Sequence, residues 1–280
     1  MAGDDVLVST AWAAAHLDDR RVRFLQVDDD ELLYDTGHLP GAQPLRWDRD
    51  LQATWSRDVA ETTALCATLG RLGLGPDTTV VVYGDRSNLW AAYAWWALRL
   101  RGHRDVRLMD GGWGRWAAEE RPFVTGPPGE PRSAPYPIQA TSDLPIRSTR
   151  ADVEAALATN QALLVDARSP DHYAGEPYFA VLPPLTGAHR SGRIPGSVNI
   201  PWASMLDNAT GLLLSPRQLE TTFTDAGVSW DRPVITYCIL GAGSAFVHLA
   251  LAGILGHPAV TNYDGSWLEW GSSVGLPIER

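Results

Sequence analysis

The chain contains itself twice, and this repeat limits its fold more than any other feature. Residues 102–113 (Gly-His-Arg-Asp-Val-Arg-Leu-Met-Asp-Gly-Gly-Trp) align without a gap on residues 256–267 (Gly-His-Pro-Ala-Val-Thr-Asn-Tyr-Asp-Gly-Ser-Trp), an offset of 154. The match continues to Trp116 and Trp270 and runs back through residues 80–83 against 234–237 and residues 72–74 against 226–228. Further upstream, His38-Leu39-Pro40-Gly41-Ala42 matches Arg193-Ile194-Pro195-Gly196-Ser197, and Trp47 matches Trp202. Aligning Val27-Asp28 with Val165-Asp166 leaves the second copy an insertion of about 17 residues. A repeat of this length predicts two equivalent domains, residues 1–124 and 146–280. Between them, residues 125–145 include Pro127, Pro128, Pro131, Pro135, Pro137 and Pro145. Proline lacks the amide that helices and central strands need, so this stretch reads as an extended linker.

Within each copy, short apolar runs alternate with helical patterns. Residues 22–27, 80–83, 162–165 and 234–237 read as buried strands. Residues 9–16 and 149–158 read as helices opened by Ser9 and Thr149, and residues 89–100 and 244–255 as apolar helices after a strand. The predicted fold class is α/β: two tandem domains, each a mostly parallel sheet flanked by helices. Such sheets place their sites beyond the carboxyl ends of the strands.

Composition excludes several chemistries. The chain has no lysine, so Schiff-base, pyridoxal-phosphate and P-loop mechanisms are absent. A formal net charge of -10 disfavours nucleic acid and anionic membrane as partners. The two cysteines, Cys66 and Cys238, form no disulfide framework or metal-ligand spacing, which predicts a cytoplasmic protein without a metal site. The acidic N-terminus does not read as a signal peptide, and the apolar stretch 245–256 is too short to span a bilayer.

The sharpest local feature is the strand-to-helix corner Tyr237-Cys238-Ile239-Leu240-Gly241-Ala242-Gly243-Ser244. Small residues let backbone N–H groups converge, and the next helix adds the positive end of its dipole. Both favour a thiolate, the reactive form of cysteine. In the first copy the same corner reads Tyr83-Gly84-Asp85-Arg86-Ser87-Asn88, with Gly84 where the second copy has its thiol. Cys66 lies on the apolar face of a helix-like segment and reads as a core residue.

Together, the His38–Ala42 and Arg193–Asn199 turns, the Tyr237-Cys238 corner and the segment Tyr263-Asp264-Gly265-Ser266-Trp267-Leu268-Glu269-Trp270 resemble the tandem rhodanese-type sulfurtransferases. The likeness is strongest to actinobacterial thiosulfate sulfurtransferases. It implies a catalytic second domain and a silent first one, with no cofactor. It implies that Cys238 takes sulfane sulfur from a small-molecule donor, thiosulfate or 3-mercaptopyruvate, as a persulfide cradled by residues Ile239, Leu240, Gly241, Ala242, Gly243 and Ser244. Cyanide, a thiol or a thioredoxin-like protein then accepts the sulfur. The loop departs from both substrate patterns: Arg follows the cysteine in thiosulfate-type relatives and Gly-Ser in mercaptopyruvate-type ones, whereas here Ile239 and Leu240 follow. His38 matches a histidine of the mercaptopyruvate-type arrangement. An anionic donor then needs charge from elsewhere, and Arg168, His172, Arg190 and Arg193 are the candidates. The alternative is a degenerate rhodanese module with a binding or regulatory role. A cysteine phosphatase of this fold would need Arg to clamp phosphate, and position 244 is Ser.

Overall fold

The computed structural model describes residues 6–53, 55–131, 135–137, 145–176, 188 and 190–280. Among the described residues of the predicted linker there is no helix or strand; the rest of it lies outside them, as do His189 and most of the predicted insertion. The described residues fall into two compact units, and Asn208–Leu213 cluster with the first.

The first unit runs β1 (Leu7–Val8), α1 (Thr10–Ala15), β2 (Val22–Gln26), α2 (Leu32–Thr36), β3 (Gln43–Pro44), α3 (Thr62–Arg71), β4 (Thr79–Tyr83), α4 (Leu89–Leu100), β5 (Val106–Met109) and α5 (Gly112–Ala118). Its five strands are all parallel, in the order β1-β5-β4-β2-β3. The second unit runs α6 (Arg150–Thr159), β6 (Leu163–Asp166), α7 (Pro170–Ala174), β7 (Val198–Asn199), α8 (Pro216–Asp225), β8 (Val234–Tyr237), α9 (Ala242–His248), β9 (Val260–Asn262) and α10 (Ser266–Trp270). Its four strands are parallel in the order β7-β6-β8-β9. Each unit is therefore the predicted α/β sheet.

Local chemistry explains the element boundaries. Ser9 caps α1 by accepting the Trp12 N–H, and Thr149 and Asp152 close a reciprocal capping box on α6. Helix α4 is buried from Trp90 through Leu98, which matches its nearly uninterrupted apolar sequence. The predicted helix over 244–255 begins two residues earlier, at Ala242, and after His248 widens into a π-helical stretch, Leu249–Ile254. Cys66 is buried on α3 and its thiol faces the Pro137 carbonyl at 3.9 Å.

Strand register corrects one part of the repeat alignment. Tyr83 lies opposite Gln26, whereas its counterpart Tyr237 lies opposite Asp166. The equivalent residues are thus Gln26 and Asp166, and two positions on, Asp28 and Arg168. The alignment of Asp28 with Asp166 was displaced because a Val-Asp pair occurs in both copies while the structural match there, Gln26-Val27-Asp28 against Asp166-Ala167-Arg168, shares no residue identity.

This pairing exchanges polarity between the units. In the second, Arg168 donates to Asp166 at 2.6 Å and to the Gly192 carbonyl at 2.8 Å. In the first, Gln26 donates to Asp28 at 2.6 Å and, more weakly, to the Gly37 carbonyl at 3.4 Å. The node that is an ion pair in one unit holds a single carboxyl in the other. Burial pushes the Asp28 carboxyl up to about 6, against which the Gln26 and Asp85 N–H donors pull only in part. A raised folded-state value adds stability that is complete below the ordinary value of 3.8 and is lost as pH rises through about 6. Relative to Asp28→Asn, the wild-type chain should lose roughly 3 kcal/mol of unfolding free energy across that window. Urea titrations of both proteins at several pH values test this, and a pH-independent difference would refute it.

Candidate active site

The site forms where β8 ends. Tyr237 is fully buried, and its hydroxyl accepts the Ile194 N–H at 3.1 Å, fixing the turn that precedes β7. The next residue, Cys238, is buried at the mouth of the loop leading into α9. Its Sγ accepts the Gly241 N–H at 3.1 Å. Gly241 has φ +95°, and a Cβ there would come within 3.0 Å of Asp264, so only glycine sets this amide without strain. Asp264 is in turn fixed by Arg147 through two bonds of 2.8 and 3.0 Å. Gly243 lets the Trp202 indole pack against the loop: a Cβ would meet Trp202 at 2.8 Å and lie 3.6 Å from the Cys238 Cβ. Leu240 and Ala242 are buried, and Ile239 packs on the core formed by Tyr237, Tyr263 and Trp267. Ser244 is fully buried, and its carbonyl accepts from Thr236 at 3.0 Å.

Ser266 is the residue that sequence reasoning missed. The Cys238 N–H donates to its hydroxyl at 3.1 Å, the hydroxyl donates to the Tyr263 carbonyl at 2.8 Å, and it stands 4.0 Å from Sγ. Ser266 has φ 54°, a left-handed conformation that costs a non-glycine residue roughly 1 kcal/mol. Its counterpart, Gly112, has φ 55° and carries no such cost. The signal was in the repeat: Cys238 against Gly84 and Ser266 against Gly112 differ between the copies in the same way.

The first unit bridges the equivalent two backbone groups with a different residue. The Gly84 N–H donates to the Asn88 side-chain oxygen at 2.9 Å, and the Asn88 amide donates to the Met109 carbonyl at 2.7 Å. Position 242, equivalent to Asn88, is Ala, whose methyl cannot accept the corner N–H. A Cβ on Gly84 would lie 2.1 Å from the Val27 carbonyl oxygen. The first corner has therefore closed over the place a thiol would take.

The four charge candidates are held by the protein itself. Arg168 is buried, chelates Asp166 and sits 4.6 Å over the Trp267 ring. Arg190 directs four of its five N–H groups to the carbonyls of Trp270, Gly271, Ser273 and Leu276, tying down the C-terminal segment. Arg193 pairs with Glu279, donates to the Tyr173 carbonyl and stacks 4.6 Å over the Tyr173 ring. His38 does the same job in the first unit, bonding the Tyr34 carbonyl at 2.9 Å and stacking 3.8 Å from that ring. Both residues are turn braces. His172, on α7, bonds Ser169 at 2.7 Å; its burial and the neighbouring Arg168 hold it below the usual histidine range, so it is uncharged at neutral pH. Each of the three guanidinium groups thus has protein acceptors and the His172 imidazole bonds Ser169, which is where the structure places the four residues expected to meet an anionic donor.

Two stretches, residues 9–119 and 149–273, each match the rhodanese-like domain. The chain belongs to the rhodanese family. It is 43% identical to the sulfur carrier protein TtuD of Thermus thermophilus over 285 residues, covering 100% of this chain and 98% of that one. It is 40% identical to a Mycolicibacterium smegmatis protein named "Putative thiosulfate sulfurtransferase", over 100% of this chain and 99% of the relative. The solved structure of SseA from Escherichia coli, described with the catalytic mechanism of 3-mercaptopyruvate sulfotransferases, superposes with a TM-score of 0.79 at 27% identity. That match covers 93% of this chain and 98% of SseA.

Two substitutions probe the site. Gly84→Cys should destabilise the chain by roughly 1–3 kcal/mol, because the new Cβ meets backbone, and its thiol should alkylate no faster than a free cysteine. Rapid labelling of that thiol with an intact melting temperature would refute the closed-corner account. Ser266→Gly should leave stability within about 1 kcal/mol, since relief of the left-handed serine offsets a lost hydrogen bond. It should also slow iodoacetamide labelling of Cys238 about tenfold. Unchanged labelling would show that the hydroxyl does not help to set the thiol.

Proposed function

We propose that this rhodanese is a sulfurtransferase that carries sulfane sulfur on Cys238 as a persulfide, and that its first unit is catalytically silent. The observation that carries this reading is the Gly241 amide directed at the Cys238 sulfur. A donor held on Sγ itself stabilises the thiolate before attack and the sulfur anion after it. The Cys238 thiolate attacks the outer sulfur of thiosulfate. The donor's S–S bond breaks, its electron pair leaves with sulfite, and Cys238 becomes a persulfide anion. A second nucleophile, cyanide or a thiol, attacks the terminal sulfur and returns the thiolate. With 3-mercaptopyruvate the C–S bond breaks instead, and pyruvate leaves once its carbon is protonated. Neither route needs an external oxidant. The names of the Mycolicibacterium relative and of SseA support the two donors, and that of the Thermus relative supports passage of the sulfur to a further acceptor.

A second reading, a rhodanese module that binds and scarcely turns over, is favoured by one observation. Arg168, Arg190 and Arg193 spend their guanidinium groups on the protein, and Ile239 stands where a cation follows the cysteine in thiosulfate-type relatives. One experiment separates the readings. The intact protein is incubated with thiosulfate and, separately, with 3-mercaptopyruvate, then weighed by mass spectrometry. A gain of one sulfur atom, lost on adding cyanide and absent in Cys238→Ser, is the expected result. No gain from either donor would favour the binding module.

A further inference from the structure

The second sheet carries two polar side chains where the first carries apolar ones. Thr236 on β8 and Asn262 on β9 lie directly opposite each other, and both are fully buried. Their counterparts, Val82 on β4 and Leu108 on β5, pair in the same register and are equally buried. Burying a polar group costs stability that burying an apolar one does not. At Asn262 the cost is only partly offset, because its Oδ1 has no hydrogen-bond partner among the described residues.

Both side chains direct their donors to the main chain that follows the thiol. The Asn262 Nδ2 donates to the Gly241 carbonyl at 3.2 Å. The Thr236 hydroxyl donates to the Ser244 carbonyl at 3.0 Å, shared with the Thr261 carbonyl at 3.3 Å. Val82 and Leu108 have no donor to offer. The Gly241 carbonyl has a partner without Asn262, since the Ala245 N–H reaches it at 3.0 Å. The second bond therefore fixes its direction. Direction matters at Gly241, whose own N–H lies 3.1 Å from the Cys238 Sγ. Glycine has the widest backbone freedom of any residue. Its N–H keeps a single aim only when the peptide on its other side is held, and Asn262 ties that peptide to the sheet. Thr236 ties down the first turn of α9, which continues from it.

We infer that Asn262 and Thr236 are positioning residues for the nucleophile: they clamp the start of α9 to the sheet and so keep the Gly241 amide on the Cys238 sulfur. This role rests on the proposed reading of Cys238 as the nucleophile of the site. It accounts for the polar pair standing in the unit that has the thiol, while the unit with Gly84 has Val82 and Leu108.

Iodoacetamide labelling of the full-length protein, followed separately at Cys238 and Cys66 by peptide mass spectrometry, tests the clamp. Asn262→Leu and Thr236→Val carry the first unit's side chains into the second. Each is expected to slow labelling of Cys238 about fivefold, the factor that one ordinary hydrogen bond is worth. Cys66, buried in the other unit, should keep its rate and serves as the internal reference. Thr236→Ser retains the hydroxyl and should stay within about twofold of the unaltered protein. A merely structural role has the opposite sign, since a loosened fold exposes a buried thiol and speeds its labelling. Thr236→Val nearly conserves volume, which keeps the test decisive should Asn262→Leu fail to fold. Unchanged or faster labelling of Cys238 in Thr236→Val, or no recovery in Thr236→Ser, would overturn the clamp. Thiosulfate uptake by the unaltered protein is weighed in parallel. Its absence would count against sulfur transfer alone, and the labelling rates would still decide the clamp.

Discussion

Both units depend on one buried tyrosine. Tyr83 and Tyr237 each end an inner strand of their sheet, fully enclosed, with a hydroxyl that accepts the backbone N–H of Leu39 or Ile194. Through that bond the strand fixes the neighbouring turn, and through the main chain it fixes the residue that follows, Gly84 or Cys238. A buried phenol must find partners, so this contact is costly to break. It holds the candidate nucleophile in place from behind, while the Gly241 amide reaches it from the front.

Around this shared frame the units satisfy the same backbone groups with different side chains. The N–H at the corner and the carbonyl at the end of the adjacent strand are joined by Asn88 in the first unit and by Ser266 in the second. Asn88 reaches the corner from the loop after β4 and Ser266 from the loop after β9, each with a left-handed backbone. The exchange of Gln26 and Asp28 for Asp166 and Arg168 follows the same logic, with donor and acceptor trading positions and the hydrogen bond surviving. Sequence identity is lost at these places while the bonding pattern is kept.

That explains which parts were legible beforehand. The repeat, the alternation of strands and helices and the Tyr-Cys corner depend on residue types whose spacing is itself the signal. The roles of Arg190 and Arg193 depend on which carbonyls lie within reach after folding, and no local pattern encodes that. Ser266 was hidden differently: it sits 28 residues beyond Cys238 and meets it only because β8 and β9 are neighbours in the sheet. The Asp28 alignment failed because short identities outweighed register, which only the pairing of strands defines.

The closeness of Gly84 to the Val27 carbonyl bears on how the two copies diverged. Exchanging glycine for cysteine at position 84 alone would not reproduce the second corner, since the new Cβ would meet the Val27 carbonyl oxygen at 2.1 Å. The two halves thus share a sheet and a buried tyrosine while differing in what their corners can hold.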